Sequence, residues 1–336
     1  MGLTQESLIN RSQLVVIRER SHEPNEGETK PGEVALPSRI AEGAYDSIGM
    51  PHLDTGSMPT TKPRLVYAST IGLPTIVLDP EDLLPCPTGM EARIQRVDDD
   101  TIVKFGRDVR LAEAAAMRLV STKTSIIVPE VKSAYILDDI GYIIMSYEPG
   151  LSLFACWPMA TTDMRTTIIA QMKDHISQLR SVKSDFFGSV DGSACAGEVF
   201  KQHWFDPFHA YGPYCSEQDF NNGLCETIMD RLPPDIRKLR DLLPGDGGIE
   251  QSIRSLHGHE TVLTHGDLNS GNVLVRPNGT LVLLDWGSAG YMPDYWEYCR
   301  AKFNPWTDDW DEKIDVFMKP CEEFEIMRKY FYLMVN

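Results

Sequence analysis

The sequence predicts an α+β fold in which antiparallel β-strands precede a mainly helical C-terminal part. Runs rich in β-branched and aromatic residues are separated by turn residues between positions 92 and 147. Apolar residues then recur at helical spacing after position 163, and the chain closes with the helical pattern EEFEIMRKYFYLM. The 336 residues are enough for one two-lobed fold or for two domains.

Composition and charge narrow the class of protein. Charged residues at 24% and hydrophobic residues at 42% are typical of a globular protein. The net charge of -17 argues against nucleic acid as a partner, because phosphate backbones require basic surface. No apolar run approaches the roughly 20 residues of a membrane span, and no signal peptide is recognisable. The seven cysteines are scattered, without CxxC spacing. We therefore expect a reduced, cytoplasmic monomer with no membrane partner and no structural zinc.

Residues 1–62 form a compositionally distinct segment. They are rich in Pro, Gly, Ser and charged residues, with one short apolar patch at Leu14–Ile17. Such a segment cannot bury enough apolar surface to offset the entropy of ordering it. We predict a disordered N-terminal extension, with order beginning near Leu65.

Two strands and a helix follow this extension. The runs ARIQRV (92–97) and TIVKF (101–105), joined by an acidic turn, predict a hairpin that contains Lys104. A helix then begins with Asp108 as its N-cap. Glu113 lies on the apolar stripe of this helix, where a carboxylate needs a partner.

Further strands and a long helix continue the chain. The runs AYILD (134–138) and YIIMSY (142–147) predict strands joined by a turn that ends in Gly141. Asp163 begins a long amphipathic helix. Its apolar positions are predicted core residues: Ile168, Met172, Ile176 and Leu179.

A hairpin near position 280 carries the most informative polar residues. Val273–Val275 and Thr280–Leu284 are β-type runs separated by Arg-Pro-Asn-Gly, which suits a tight turn. Paired across this turn, Asn272 and Asp285 emerge at the same end, directly opposite or one residue out of register. An amide oxygen and a carboxylate at that separation suit Mg²⁺, which takes its remaining ligands from water and substrate phosphates.

Asp267 lies five residues before Asn272, on the loop that enters the hairpin. There it can accept a proton from a substrate hydroxyl beside a metal-bound phosphate. An alternative is that these Asp and Asn residues only cap turns around a hairpin. The ordered set of four residues, with apolar strands between them, favours the chemical interpretation: His265, Asp267, Asn272 and Asp285.

The motif HGDLNSGNVLV, followed by LLDWGSAG, resembles the aminoglycoside phosphotransferase and choline kinase branch of the kinase-like superfamily, most nearly its fungal members. The pattern His-x-Asp-x4-Asn, strand, turn, strand, Asp is the catalytic-loop and metal-loop arrangement of protein kinases and their relatives. The resemblance covers about 94–334. A protein kinase is disfavoured because the chain has HGD and DWG instead of HRD and DFG, and no APE segment follows.

This resemblance implies a bilobal protein-kinase-like fold. Residues 63–148 would form a nucleotide-binding N-lobe with five antiparallel strands and one helix, and 149–336 a mainly helical, catalytic and substrate-binding C-lobe. The implied activity is ATP- and Mg²⁺-dependent transfer of a γ-phosphate to a hydroxyl of a small molecule. A tailoring step in secondary metabolism is one setting for it.

The resemblance also assigns residues of the N-lobe. Lys104 would contact the α and β phosphates while pairing with Glu113. The alternative is that these are two ordinary surface charges. The lobes would meet at a hinge whose backbone, at Ser146, Tyr147 and Glu148, would hydrogen-bond adenine.

In the C-lobe, Asp267 would be the catalytic base, and Asn272 and Asp285 would hold Mg²⁺. His265 and Trp286 would have packing roles. One departure from the kinase pattern is that no GxGxxG precedes Lys104. This leaves ATP or GTP open as the nucleotide, and it keeps a second hypothesis, a non-catalytic kinase-like protein that binds a nucleotide or metabolite.

An acidic excess follows the metal loop. Between positions 291 and 325 there are ten acidic and four basic residues. We expect Asp294, Glu297, Asp308 and Asp309 to line the acceptor site and to favour a cationic substrate. The alternative is an acidic, solvated face.

Overall fold

The computed structural model describes residues 65–67, 74–76, 92–200, 210–231, 248–303 and 308–335. The predicted N-terminal extension, 1–62, lies outside the described residues. None of the helices in the described ranges is both long enough and apolar enough to cross a membrane.

An antiparallel sheet forms the N-terminal part. Its strands are β3 (Ala92–Asp98), β4 (Thr101–Gly106), β5 (Val131–Leu137) and β6 (Ile140–Ser146), in the order β3-β4-β6-β5. The expected fifth strand is not part of this sheet among the described residues. Instead, the short strands β1 (Leu65–Tyr67) and β2 (Pro74–Ile76) pair with each other. Lys104 lies on the central strand β4, opposite residues of both neighbouring strands.

The turn between β5 and β6 lies earlier in the chain than the predicted turn, which ends in Gly141. Asp138 and Asp139 form it, with φ of 49° and 61°. Asp tolerates this left-handed conformation better than most residues, and such a two-residue turn matches the twist of a hairpin. Gly141 lies inside β6, where a Cβ would stand 2.0 Å from the Val109 carbonyl oxygen. Its function is close packing rather than turning.

Helix α1 (Leu111–Lys123) begins later than predicted. Arg110, not Asp108, is its N-cap residue, with an extended backbone and no side-chain capping bond. The delay has a local cause, because the buried Val109 donates its N–H to Gly106 and holds the chain close to the sheet before the helix starts. Glu113 is buried on α1 as the apolar stripe predicts.

Helices dominate the C-terminal part, in agreement with the predicted fold class. After the short strand β7 (Leu151–Ser152), the α-helices within the described ranges are α2 (Leu153–Cys156), α3 (Thr162–Ser181), α4 (Glu217–Arg231), α5 (Gly248–Arg254), α6 (Trp296–Phe303), α7 (Asp308–Phe317) and α8 (Phe324–Val335). The four predicted core residues of α3 are all buried.

Two small sheets interrupt these helices and position the site. The strands β9 (Val273–Val275) and β10 (Leu281–Leu283) form the predicted hairpin, and β7 pairs with β9. The strands β8 (Thr261–Thr264) and β11 (Gly290–Pro293) pair with each other. The loops from β8 to β9 and from β10 to β11 therefore begin and end at residues whose backbone is paired in a sheet.

Candidate active site

The hairpin places Asn272 and Asp285 at one end, as predicted. Val273 is paired with Leu283, and the N–H of Leu284 donates to the Asn272 carbonyl at 2.9 Å. Asn272 therefore faces Leu284, and Asp285 is one residue out of register. Asp285 has φ 59° and ψ 69°, a left-handed conformation that turns the chain sharply as it leaves β10.

Lys104 lies between two carboxylates. Its Nζ is 2.8 Å from Glu113 Oε1 and 2.7 Å from Asp285 Oδ1. The exposed fractions of the Lys104, Glu113 and Asp285 side chains are 7%, 3% and 21%. The structure thus contains the predicted pair of Lys104 with Glu113 and adds Asp285 to it.

Burial and mutual attraction act in opposite directions on these groups. Burial opposes the charged form of Lys104, but the carboxylates of Asp285 and Glu113 raise its pKa above the ordinary value. Burial raises the pKa of Glu113, and Lys104 opposes that effect. Burial also opposes ionisation of Asp285, yet the Lys104 ammonium lowers its pKa below the ordinary value. Asp285 is therefore the ionised partner of a charged Lys104.

Asp267 and Asn272 form the second half of the site. The Asn272 amide nitrogen donates to the Asp267 carbonyl at 2.8 Å and to its carboxylate at 3.0 Å. Asn269 shapes the loop between them, because its side-chain oxygen accepts from the N–H groups of Gly271 and Asn272. Burial raises the pKa of Asp267, and the nearby Arg300 opposes this shift.

Helix α6 contacts the catalytic loop through two residues that sequence reasoning did not assign to this role. The buried Glu297 carboxylate accepts hydrogen bonds from the N–H groups of His265 and Gly266. The buried Arg300 donates through Nε to the Gly266 carbonyl at 3.3 Å. Glu297 and Arg300 are one helical turn apart on α6. This helix therefore binds two backbone N–H groups and one backbone carbonyl of the loop.

The prediction that Glu297 lines the acceptor site was wrong. The acidic excess around it pointed to a surface role, whereas the chain folds Glu297 under the loop at 3% exposure. Asp294 is half-buried, with its carbonyl accepting from Arg180 at 2.9 Å. The side chains of Asp308 and Asp309 lie outside the described residues.

The aromatic residues of the two motifs pack as predicted. The His265 and Trp286 rings lie 4.6 Å apart, and both side chains are fully buried. His265 Nε2 also contacts the Leu284 carbonyl oxygen at 2.8 Å. This packing joins the loop that carries Asp267 to the turn that carries Asp285.

The predicted hinge has part of its backbone already engaged. The N–H groups of Ser146 and Tyr147 donate to the carbonyls of Glu130 and Asp100. Those two donors are therefore not available to an adenine, which narrows the predicted contact to other backbone atoms of the hinge. The Glu148 carboxylate accepts from Ser146 Oγ and from Arg276. These side-chain contacts connect the hinge to the turn of the catalytic hairpin.

The site has the donor chemistry that a magnesium nucleotide requires. The side-chain nitrogen of Asn272 donates to Asp267, so the amide oxygen of Asn272 points away from that carboxylate. The pKa of Asp285 is lowered, so its carboxylate is ionised. Amide and carboxylate oxygens are ligands that Mg²⁺ accepts, with phosphates completing its shell. No cluster of three or more His, Cys, Asp or Glu side chains suited to a metal occurs in the described parts of the chain. A cation at Asn272 and Asp285 would thus depend on oxygens from a substrate.

A protein-family model matches most of the chain. The model of the phosphotransferase enzyme family, APH, matches residues 82–316. No curated protein matches the sequence.

Several solved structures are similar to this chain. One is a thermostable mutant of aminoglycoside phosphotransferase APH(4)-Ia in a ternary complex with AMP-PNP and hygromycin B. It has 16% sequence identity over 75% of this chain and 84% of that chain, with a TM-score of 0.51. Another is aminoglycoside phosphotransferase APH(3'')-Id from Streptomyces rimosus ATCC10970, with 19% identity over 72% and 88% and a TM-score of 0.42. The first of these supports the kinase-like fold. Because the family match spans more than half of the sequence, the chain belongs to the phosphotransferase enzyme family.

Proposed function

We propose that this protein is a small-molecule kinase that transfers the γ-phosphoryl group of ATP to a hydroxyl. The observation that carries the proposal is the position of Lys104, whose buried ammonium is bonded both to Glu113 on α1 and to Asp285 at the end of the hairpin. Glu113 holds the charged lysine beside Asp285, the proposed metal ligand, where its ammonium could contact phosphate oxygens of a bound nucleotide. The solved structure in a ternary complex with AMP-PNP and hygromycin B has a similar fold, which supports the proposal.

Each side chain has a distinct role in this reaction. Asp267 orients the acceptor hydroxyl and takes its proton as the oxygen attacks the γ-phosphorus, and ADP leaves with the electrons of the broken bond. Lys104 holds negative phosphate oxygens, while Glu113 fixes the lysine. Asn272 and Asp285 would hold Mg²⁺, which when bound neutralises the phosphate charge that develops during transfer.

The division of the chain is part of the proposal. Residues 63–148 would form the nucleotide-binding lobe and 149–336 the catalytic and acceptor-binding lobe, with backbone of the hinge at 146–148 contacting adenine. The resemblance of HGDLNSGNVLV and LLDWGSAG to fungal members of the family supports a placement in that branch. A secondary-metabolism tailoring step and a cytoplasmic, monomeric enzyme are consistent with that placement.

A second candidate function is nucleotide or metabolite binding without turnover. The feature that favours it is the absence of a GxGxxG motif before Lys104. The two candidates differ in one observable, the appearance of ADP and a phosphorylated acceptor. A screen of aminoglycosides, amino alcohols, sugars and hydroxylated metabolites with ATP labelled at the γ-phosphate distinguishes them.

The two carboxylates provide the sharper test of mechanism. Asp285→Asn should weaken MgATP binding and abolish transfer, because the variant loses a charged ligand and the partner of Lys104. Asp267→Asn should keep nucleotide affinity within a few-fold and lose roughly 10²- to 10⁴-fold in turnover. Asp99→Asn is the matched control, since this carboxylate is fully exposed in a surface turn.

Calorimetric titration of MgATP and transfer rates at saturating nucleotide are measured on all three variants. Equal loss of nucleotide affinity in Asp267→Asn and Asp285→Asn would mean that the two roles are wrongly assigned. Unimpaired transfer by Asp267→Asn would exclude the mechanism.

A further inference from the structure

Arg110 connects the start of α1 to a loop in the C-terminal part of the chain. Its Nη2 donates to Ser193 Oγ at 3.0 Å and to the Ala194 carbonyl at 2.8 Å. Although Arg110 is the N-cap residue of α1, its side chain makes no capping bond to the helix. The guanidinium therefore acts between distant segments and not within its own helix.

The residues that receive Arg110 belong to a compact loop, which we call the 189–195 loop. The Asp191 carboxylate accepts from both the N–H and the hydroxyl of Ser193, at 3.0 and 2.6 Å. Since the hydroxyl proton points to Asp191, a lone pair of Ser193 Oγ is left for Arg110. Ser189 Oγ donates to the Ala194 carbonyl at 2.6 Å, so both acceptors of Arg110 are held in place.

This loop is anchored to the framework of the candidate active site. Gly188, immediately before it, exchanges backbone hydrogen bonds with Tyr291 at 3.1 and 2.8 Å. At its other end, Cys195 donates its N–H to the Tyr211 carbonyl at 2.8 Å. Tyr291 lies on β11, in the strand that follows the turn containing Asp285. The loop and that turn are thus positioned by the same strand.

On the helix side, Arg110 is three residues before Glu113, so both belong to the first turn of α1. Glu113 holds the Lys104 ammonium at 2.8 Å. A shift of this turn away from the sheet by more than about 1 Å would lengthen that contact beyond hydrogen-bond range. Contacts that hold the start of α1 in place therefore also hold the Lys104 ammonium in place.

We propose that Arg110 is a positioning residue that holds α1 against the C-terminal part through Ser193 and Ala194 and thereby keeps Glu113 on Lys104. The inference rests on the proposed function, because it concerns the nucleotide-binding competence of Lys104. Arg110 itself contacts none of the reacting groups. Arg110 acts through Glu113, and the acceptors that hold Arg110 lie in the 189–195 loop.

Hydrogen–deuterium exchange tests the contact without any assay of activity. In Arg110→Gln, amides in the first turn of α1 and in the 189–195 loop should exchange roughly ten-fold faster or more, while those of α3 remain unchanged. The matched control is Arg118→Gln, because Arg118 lies on the exposed face of the same helix. Unchanged exchange at both segments in Arg110→Gln would overturn the proposal.

Equilibrium binding tests the consequence for Lys104. Arg110→Gln should raise the Kd for a non-hydrolysable ATP analogue roughly 10- to 30-fold, Ser193→Ala roughly 5-fold, and Arg118→Gln by less than about 2-fold. Arg110→Lys, which keeps a donor, should recover part of the loss.

The decisive comparison is with Glu113→Gln. In the Glu113→Gln background, Arg110→Gln should raise the Kd for the ATP analogue little further. Both substitutions weaken the same contact, the one between residue 113 and Lys104. Fully additive effects would overturn the proposal. If the wild-type chain neither bound the analogue nor transferred phosphate, the proposed function would fail, and the exchange experiment alone would decide the role of Arg110.

Discussion

Replacing Lys104 should expose the electrostatic cost of the two carboxylates around it. In Lys104→Met, the side chain keeps its length and its packing, but Glu113 and Asp285 lose the cation that both contact at less than 3 Å. Glu113 is almost fully buried, so the variant retains a desolvated carboxylate without a counter-ion. We expect a loss of roughly 3–5 kcal/mol in the free energy of unfolding near neutral pH.

The same reasoning predicts the pH dependence of that loss. Without Lys104, burial keeps the pKa of Glu113 above its unfolded value, with no cation to oppose the shift. The folded state of the variant then binds a proton that the unfolded state does not, and stability rises as pH falls. The stability difference between wild type and Lys104→Met should therefore shrink as the pH falls through the raised, folded-state pKa of Glu113.

A second substitution separates charge from packing. Lys104→Met combined with Glu113→Gln removes the buried carboxylate charge and should be at least ~2 kcal/mol more stable than Lys104→Met alone. The matched control is Lys183→Met. Lys183 pairs with Glu260 at 2.6 Å, but both side chains are more than half exposed. That substitution should cost less than ~1 kcal/mol and show little pH dependence.

Urea denaturation followed by fluorescence and by circular dichroism, at several pH values, measures these differences. Coincidence of the two transitions checks that a single free energy describes unfolding. A Lys104→Met variant as stable as the Lys183→Met control would refute the reasoning. So would a double variant less stable than Lys104→Met, because the buried charge would then not be the cause.

Three further predictions address other regions. Glu297→Gln should lower kcat by roughly 10- to 100-fold with a nearly unchanged KM for ATP, since its charge strengthens two bonds to the catalytic loop; an equal effect on both constants would argue against loop positioning. Burial opposes protonation of His259, but two carboxylates raise its pKa above 6.5, so its contribution to stability is present below that pH and declines as pH rises through the higher, folded-state value. Melting temperatures of wild type and His259→Gln should converge across that window, and a constant difference would contradict the assignment. Removal of residues 1–62 should leave the melting temperature and the transfer rate nearly unchanged, and a large loss of either would place that segment in the folded structure.

Local patterns predicted the β9–β10 hairpin well because its geometry is set within a few residues. The turn residues fix the register, and the register brings Asn272 and Asp285 together. The apolar stripe of α1 showed that Glu113 needs a partner, and the resemblance to kinases identified Lys104 as that partner. In contrast, Lys104 and Asp285 are 181 residues apart, and no periodicity relates them. That contact depends on how the sheet is placed over the hairpin.

Other features escaped prediction because tertiary packing overrides local preference. The segment QDFNNGL lies in α4, although Asn and Gly have low helix propensity. A Cβ at Gly223 would stand 2.0 Å from the Tyr214 hydroxyl, so the glycine makes room for that ring. Glu297 was misplaced for a similar reason. It was assigned from the acidic excess of the whole segment 291–325, but its partners are backbone N–H groups of a loop more than 30 residues earlier.

The different environments of Asp267 and Asp285 support the separate roles that we propose for these two carboxylates. The Lys104 ammonium contacts Asp285 directly and, against the effect of burial, lowers its pKa. Burial raises the pKa of Asp267, whose carboxylate accepts a hydrogen bond from the neutral Asn272 amide. A permanently ionised group is suited to holding a cation, whereas a group with a raised pKa is the better proton acceptor. Exchanging the two roles would put the weaker base at the acceptor hydroxyl and the less ionised group at the metal.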